Sequence, residues 1–323
     1  MKKVVSFSGG RTSAYLCHLM IELYGKENVD FIYMDTGAEH PKTYEFIKKV
    51  DKYLGLNLVC LRGDFNQPLG KGHTYKIISI NDICHDLGPY REMVKKYGTP
   101  GSSSAWCTSR MKEETHDKYC NDKYGKGNYE TWLGIRADEP RRVIGEHLGI
   151  KWVSRGLSAY DLTITLQHIE LNHPVINGIG DIYKDIQDFI NKKIDKNIRF
   201  MTEACDAEKE DVLNWWDNQP FDLDIPEWLG NCVFCFKKSD LKIAAAAHDE
   251  PELYQEWLEM IDSATERSEQ ERISRHVMYR KKRRIEQVIA TFDGSTGDEI
   301  KARMRGAKHL DTGSCSESCE VFQ

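Results

Sequence analysis

The stretch KVVSFSGGRTSAYLCHL, residues 3–19, decides the fold. Its first part, KVVSF, reads as a short buried strand. From Ser13 the pattern changes to helical: Leu16, Leu19, Met20 and Leu23 share one face, and Gly25 is the stop signal. A strand-to-helix turn needs one glycine at most. Here Gly9 and Gly10 lie between Ser8 and the run Arg11, Thr12 and Ser13. Bare backbone N–H groups and hydroxyls at a helix N-terminus are the means by which a chain holds a phosphate. No Gly-Lys-Ser/Thr follows, so the turn is not a Walker A loop, nor is it G-x-G-x-x-G.

Outward from this turn, FIYMD (31–35) is a second strand, and Pro41 opens a helix with Ile47, Val50 and Leu54 on its apolar face, stopped by Gly55. LNLVCL (56–61) and ETWLGI (130–135) supply two more strands. Alternation of strands and helices predicts an α/β fold with a doubly wound, mainly parallel sheet. Residues 1–200 are expected to form this nucleotide-binding domain, with the Gly/Pro/Ser-rich segment 63–105 as a lid or insertion. Residues 201–292 read as a helical region, and 293–323 as a flexible tail.

A net charge of −6 over 323 residues excludes a protein built to coat nucleic acid or anionic membrane. No apolar run is long enough to span a bilayer, and the N-terminus has no apolar signal core, so a cytoplasmic protein without membrane partners is expected. In a reducing compartment, 10 cysteines point to metal or catalytic use rather than disulfides. Cys17, Cys60, Cys84, Cys120 and Cys205 are scattered singly and read as packing. Cys107 stands beside Arg110 and Lys112, which favour a thiolate, and Cys232 and Cys235 form a CxxC before Lys237 and Lys238. A lone CxxC is half a metal site; metal, dithiol redox chemistry and packing all remain open for it.

Three separated motifs, in order, resemble the PP-loop superfamily of adenine nucleotide alpha hydrolases, and within it the phosphoadenylyl-sulfate (PAPS) reductase-like family. Ser8-Gly9-Gly10-Arg11-Thr12-Ser13 is similar to the SGGxxS pyrophosphate loop, and Asp35-Thr36-Gly37 with Glu39, Pro41, Thr43 and Tyr44 resembles the DTGxExPxTY segment. Gly134-Ile135-Arg136-Ala137-Asp138-Glu139 resembles the GIRxDE turn. The resemblance implies an adenine nucleotide, ATP or PAPS/APS, held by Ser8 to Ser13 and by Asp35, Thr36 and Gly37, with Mg²⁺ at Asp35 if the ligand is ATP. Arg136 is the candidate catalytic cation for charge at the α-phosphate, its alternative being an ion pair with Asp138 or Glu139. ATP-cleaving relatives commonly have Asp where this chain has Thr12, so the loop leaves ATP and sulfonucleotide both open.

The same resemblance implies that Cys107, Cys232 and Cys235 share a 4Fe–4S cluster, with zinc completed by Cys315 and Cys319 as the alternative. Cys315 and Cys319 also lie where PAPS reductases carry a nucleophilic cysteine, which makes them candidate catalytic residues. Between Arg272 and Arg284 the chain has seven Lys/Arg and no acid, with an apolar stripe running on to Ile289; a basic amphipathic helix that meets nucleic acid, or a solvated surface helix, is expected. The leading expectation is a PAPS reductase-like enzyme that acts at the α-phosphate or sulfate with a thiol reductant. The alternatives are an ATP pyrophosphatase that thiolates a nucleic acid or small-molecule acceptor, and a nucleotide- and metal-binding regulator.

Overall fold

Six strands form one sheet in the order β4-β3-β2-β1-β5-β6. They are β1 (Lys2–Ser6), β2 (Val29–Met34), β3 (Val59–Asp64), β4 (Thr74–Ile78), β5 (Tyr129–Leu133) and β6 (Ile198–Phe200). All pairings are parallel except that of β4, which runs antiparallel along β3. The computed structural model describes residues 1–68, 70–101, 105–169, 180–264 and 277–306. The chain winds outward from β1 to β4, then returns to lay β5 on the other side of β1. The carboxyl end of β1 is therefore the topological switch point, where open α/β sheets bind ligands. The double-glycine turn sits there.

Helix α1 (Arg11–Tyr24) and helix α2 (Pro41–Leu54) match the periodicity, and both stop at the glycines that mark their ends. Two strands have no clear sequence signal. The edge strand β4 carries Lys76, exposed and paired with Asp64 at 3.2 Å, so its alternation is weak. β6 is only 3 residues long.

The segment 63–105 is more than a surface excursion. It supplies β4 and helix α3 (Gly88–Tyr97), whose Tyr90, Met93 and Val94 are buried in the main core. That core runs without a break from Val5, Phe31 and Tyr33 through Trp216, Phe234 and Trp257 to Val288. Residues beyond 200 thus pack on the sheet's own core instead of forming a separate one. The first part of the tail is ordered too: helix Gly297–Gly306 buries Ile300 against Ala244 and Ala245, which corrects the expectation of a loose segment there. Among the described residues no helix is long and apolar enough to cross a membrane.

Candidate functional site

The turn after β1 is held open from within. Ser13 Oγ accepts from the Ser8 N–H at 3.1 Å and donates to the Gly10 carbonyl at 3.0 Å. Gly10 caps α1 without a side-chain hydrogen bond, and the first turn of the helix has no acidic residue. The leading N–H groups and the positive end of the helix dipole therefore face the cavity uncompensated. Gly9 has φ +85°, and a Cβ there would stand 2.8 Å from Ile47 Cδ1. A Cβ on Gly134 would lie 2.9 Å from Ser13 Cα, so the loop after β5 presses backbone to backbone on the turn.

Ser8, Gly9, Gly10 and Arg11 line this cavity, while Thr12 and Ser13 are fully buried behind it and brace it. The opposite wall comes from the segment between the helix Lys209–Asp217 and the CxxC, with Leu223, Ile225, Pro226 and Asn231. Two ion pairs hold this strap down. Arg11 forks onto Asp222 with Nε–Oδ1 2.7 Å and Nη2–Oδ2 2.8 Å, and Lys42 reaches Asp224 at 3.0 Å. The enclosed volume is about 60 Å³, against roughly 300 Å³ or more for small-molecule pockets. The strap must lift to admit a nucleoside. Asp222→Asn should loosen the fork on Arg11 and tighten nucleotide binding by about twofold to fivefold in calorimetry, the range of an exposed ion pair.

Asp35, Thr36 and Gly37, expected to meet nucleotide or Mg²⁺, do not line this cavity in this conformation. Asp35 is fully buried; it accepts from the Gly37 N–H at 2.9 Å, the Tyr44 hydroxyl at 3.0 Å and Arg62 Nε at 2.7 Å. Burial pushes its carboxyl up and the Arg62 guanidinium opposes that. Its work is to fix the loop after β2. Arg136 is likewise turned inward: it pairs with Asp138 at 2.8 Å and donates to Thr12 Oγ1 at 3.2 Å, so in this conformation it braces the turn and does not line the cavity.

Behind the loop after β2 lies a second cavity, lined by Thr36, Tyr90, Cys107, Thr108, Lys112, Cys232, Cys235 and Lys237. The structure thus brings Cys107 and the CxxC to one place. Cys107 opens a π-helical stretch, Cys107–Glu113, that runs into helix α4 (Glu114–Tyr124); such turns are frequent at functional sites. Lys238 is buried and donates to the carbonyls of Trp228 at 2.7 Å and Val233 at 2.9 Å, shaping the CxxC loop. Burial pulls its ammonium down to about 8, with Cys235, Cys232 and Glu39 acting the other way. Burial pushes the Tyr90 hydroxyl up, and all three thiols add to that. Among the described residues no three His, Cys, Asp or Glu groups are arranged around a single metal ion. A tetrahedral zinc at 2.3 Å would need sulfurs within about 4 Å of one another, whereas a cluster spreads its thiolates further apart.

The two cavities share a wall. Glu39 pairs with Cys232 in an isolated β-bridge, and the Val233 N–H donates to the Ala38 carbonyl at 3.1 Å. Thr36 Oγ1 lies 3.8 Å from Cys232 Sγ, and Glu39 Oε1 accepts from the same thiol at 3.5 Å. Sequence reasoning does not single out Glu39 and Tyr90 as site residues; Glu39 stands inside the DTGxE segment, but nothing local shows that it lines the double-glycine cavity and also meets the Cys232 thiol. Of the single cysteines, Cys17, Cys60 and Cys120 are buried as expected, whereas Cys84 is exposed. Cys315 and Cys319 lie outside the described residues.

The basic segment is not one continuous helix. Residues 272–276 lie outside the described residues, and Tyr279 and Arg283 bridge across a tight reversal with Lys281 and Lys282 at φ 62° and 52°. Among the described residues of this segment the helix is short, Ile285–Ala290. The reversal is fastened to the CxxC loop: the Tyr279 hydroxyl donates to the Phe234 carbonyl at 2.9 Å and Arg280 to the Lys237 carbonyl at 3.0 Å. Arg283 is taken up by Asp240 at 2.8 Å. Left-handed backbone at two adjacent lysines is costly and clusters at functional sites.

The family model for the phosphoadenosine phosphosulfate reductase domain matches residues 2–71. The chain is 39% identical over 327 residues to the uncharacterized nin region protein ORF290 of Escherichia phage lambda, across 100% of this chain and 96% of that one. Two uncharacterized proteins of Methanocaldococcus jannaschii match in part. MJ0066 is 26% identical over 42% of this chain and 23% of its own length, and MJ0973 is 37% identical over 28% and 22%. No solved structure matches.

Proposed function

This chain belongs to the family of the lambda nin region protein ORF290 and carries a phosphoadenosine phosphosulfate reductase domain of the PP-loop superfamily at residues 2–71, and from that membership we propose a nucleotide-dependent enzyme of sulfur chemistry. It binds an adenine nucleotide on Ser8, Gly9, Gly10 and Arg11 and acts at the α-phosphorus or its sulfate. Cys107, Cys232 and Cys235 form the sulfur side of the same site. The observation that carries this reading is the shared wall: one loop, Thr36 to Glu39, touches Cys232 of the CxxC and also lines the double-glycine cavity through Glu39. The three thiols sit around one cavity, which suits a 4Fe–4S cluster, with zinc as the alternative. Such a cluster would supply an electron or sulfur relay; this chain's residues hold its place, with Lys112 and Lys238 offsetting the thiolate charge.

The product decides the reaction class. Sulfite released from a sulfonucleotide, with two electrons from a dithiol reductant, makes the chain a reductase. Pyrophosphate released from ATP in the presence of an acceptor makes it a sulfurtransferase. Nucleotide binding with neither product makes it a regulator and ends the enzyme reading.

One observation favours a nucleic acid as the sulfurtransferase's acceptor: the Lys281–Lys282 reversal is anchored to the CxxC loop. Replacing both lysines by alanine should weaken nucleic-acid binding and reduce the slope of log K against log salt by about 2, close to one unit per lost phosphate contact. Absence of binding by the parent protein at low salt would remove this second reading.

A further inference from the structure

We infer that Glu39 is the ribose-reading residue of the double-glycine cavity, its unpartnered carboxylate oxygen accepting a hydrogen bond from a ribose hydroxyl of the bound nucleotide. The inference rests on the proposal that this cavity takes a nucleotide, and it narrows which one.

Glu39 is 3% exposed and lines the cavity beside Ser8, Gly9 and Gly10. Every other polar atom of the residue is engaged. Its N–H donates to the Tyr44 hydroxyl at 3.4 Å, its carbonyl accepts from His85 Nδ1 at 2.7 Å, and Oε1 accepts from Cys232 at 3.5 Å. Oε2 alone has no hydrogen-bond partner among the described residues. A buried carboxylate oxygen left so is costly, and its chemistry is that of an acceptor. The turn presents donors to an anion; the acceptor beside it calls for a donor on the same ligand. A nucleotide offers hydroxyls on the ribose and, further off, the amine of the base. With the phosphate on the turn, the sugar is the adjoining group, and Glu39 adjoins the turn.

The same carboxylate repels a second phosphate on the ribose. The site therefore selects nucleotides with free ribose hydroxyls, ATP or adenylyl sulfate, over 3′-phosphorylated ones.

The test is calorimetric binding of AMP, the part common to ATP and adenylyl sulfate, beside 2′-deoxy-AMP, 3′-deoxy-AMP, purine riboside monophosphate and adenosine 3′,5′-bisphosphate. Wild-type protein should lose roughly 10- to 100-fold in affinity with one of the two deoxy analogues, the worth of a hydrogen bond to a charged group, and should disfavour the bisphosphate. Glu39→Ala should bind ribo and deoxy forms alike. Glu39→Gln, which keeps the shape should the alanine variant misfold, should tolerate the 3′-phosphate. Equal affinity of wild type for AMP and both deoxy forms overturns the inference, as does discrimination that survives in Glu39→Ala. A loss seen only with purine riboside monophosphate overturns it in favour of the base. Failure of wild type to bind any of these nucleotides, ATP included, removes the nucleotide reading itself and this inference with it.

Discussion

Gly9→Val is expected to cut adenine nucleotide affinity by at least about 100-fold while the protein stays folded. Three effects act together. At φ +85° any Cβ is strained, at about 1–2 kcal/mol. The new Cβ would fall 2.8 Å from Ile47 Cδ1, so α2 or the turn has to shift. The branched side chain then covers the N–H groups at the start of α1; charge-assisted hydrogen bonds contribute about 1.5–3 kcal/mol each, and two of them account for the factor. Calorimetry gives the affinity, and a thermal melt separates lost binding from lost fold. Gly9→Ala keeps the strain with less steric cover and should fall between. Wild-type affinity in the valine variant would contradict the placement of the phosphate.

The second large effect is on metal content. Cys107→Ser and Cys232→Ser should each remove most of the iron and acid-labile sulfide from anaerobically purified protein, roughly 10-fold or more, given that even outer-shell changes cost that much. The double variant should be little worse than either single one, because groups that hold one centre do not act additively. The thiols line a common cavity with Lys112, yet come from a π-helical turn after α3 and from a loop far along the chain. Full metal in Cys107→Ser with loss in Cys232→Ser would make the CxxC a separate structural site. Zinc in place of iron would withdraw the cluster. Cys315→Ser decides the tail: lost metal makes it a ligand, and retained metal with lost turnover makes it a nucleophile.

What was legible in the sequence was local. The double-glycine turn, α1 and α2 are written within a few residues of one another, so periodicity and stop signals suffice. Cys107 and the CxxC were joined through family resemblance, and the structure puts them on one cavity. What stayed hidden depends on distant contacts. Asp35 at a strand end looks ligand-facing until Arg62 and Tyr44 close on it. The strap over the turn rests on Arg11 and Asp222, an ion pair between residues 211 positions apart that leaves no local pattern. The basic stretch has the spacing of a helix face, but Tyr279 is drawn into the core between Trp257 and Phe234, and the chain reverses there. The helix Gly297–Gly306 leaves little trace in the sequence because one buried Ile300 is too little apolar signal among so many polar residues.

The central claim is that nucleotide and thiols occupy two faces of one site. Cysteine alkylation of cluster-free protein, followed by peptide mass spectrometry with and without saturating nucleotide, tests it most directly. Cys107 and Cys235 are partly exposed and Cys84 is exposed, which supplies an internal control. Nucleotide should slow labelling of Cys107 and Cys235, leave Cys84 unchanged, and have no effect in Gly9→Val. Labelling of all three at the same rate with and without nucleotide, in protein shown to bind it, would contradict the account.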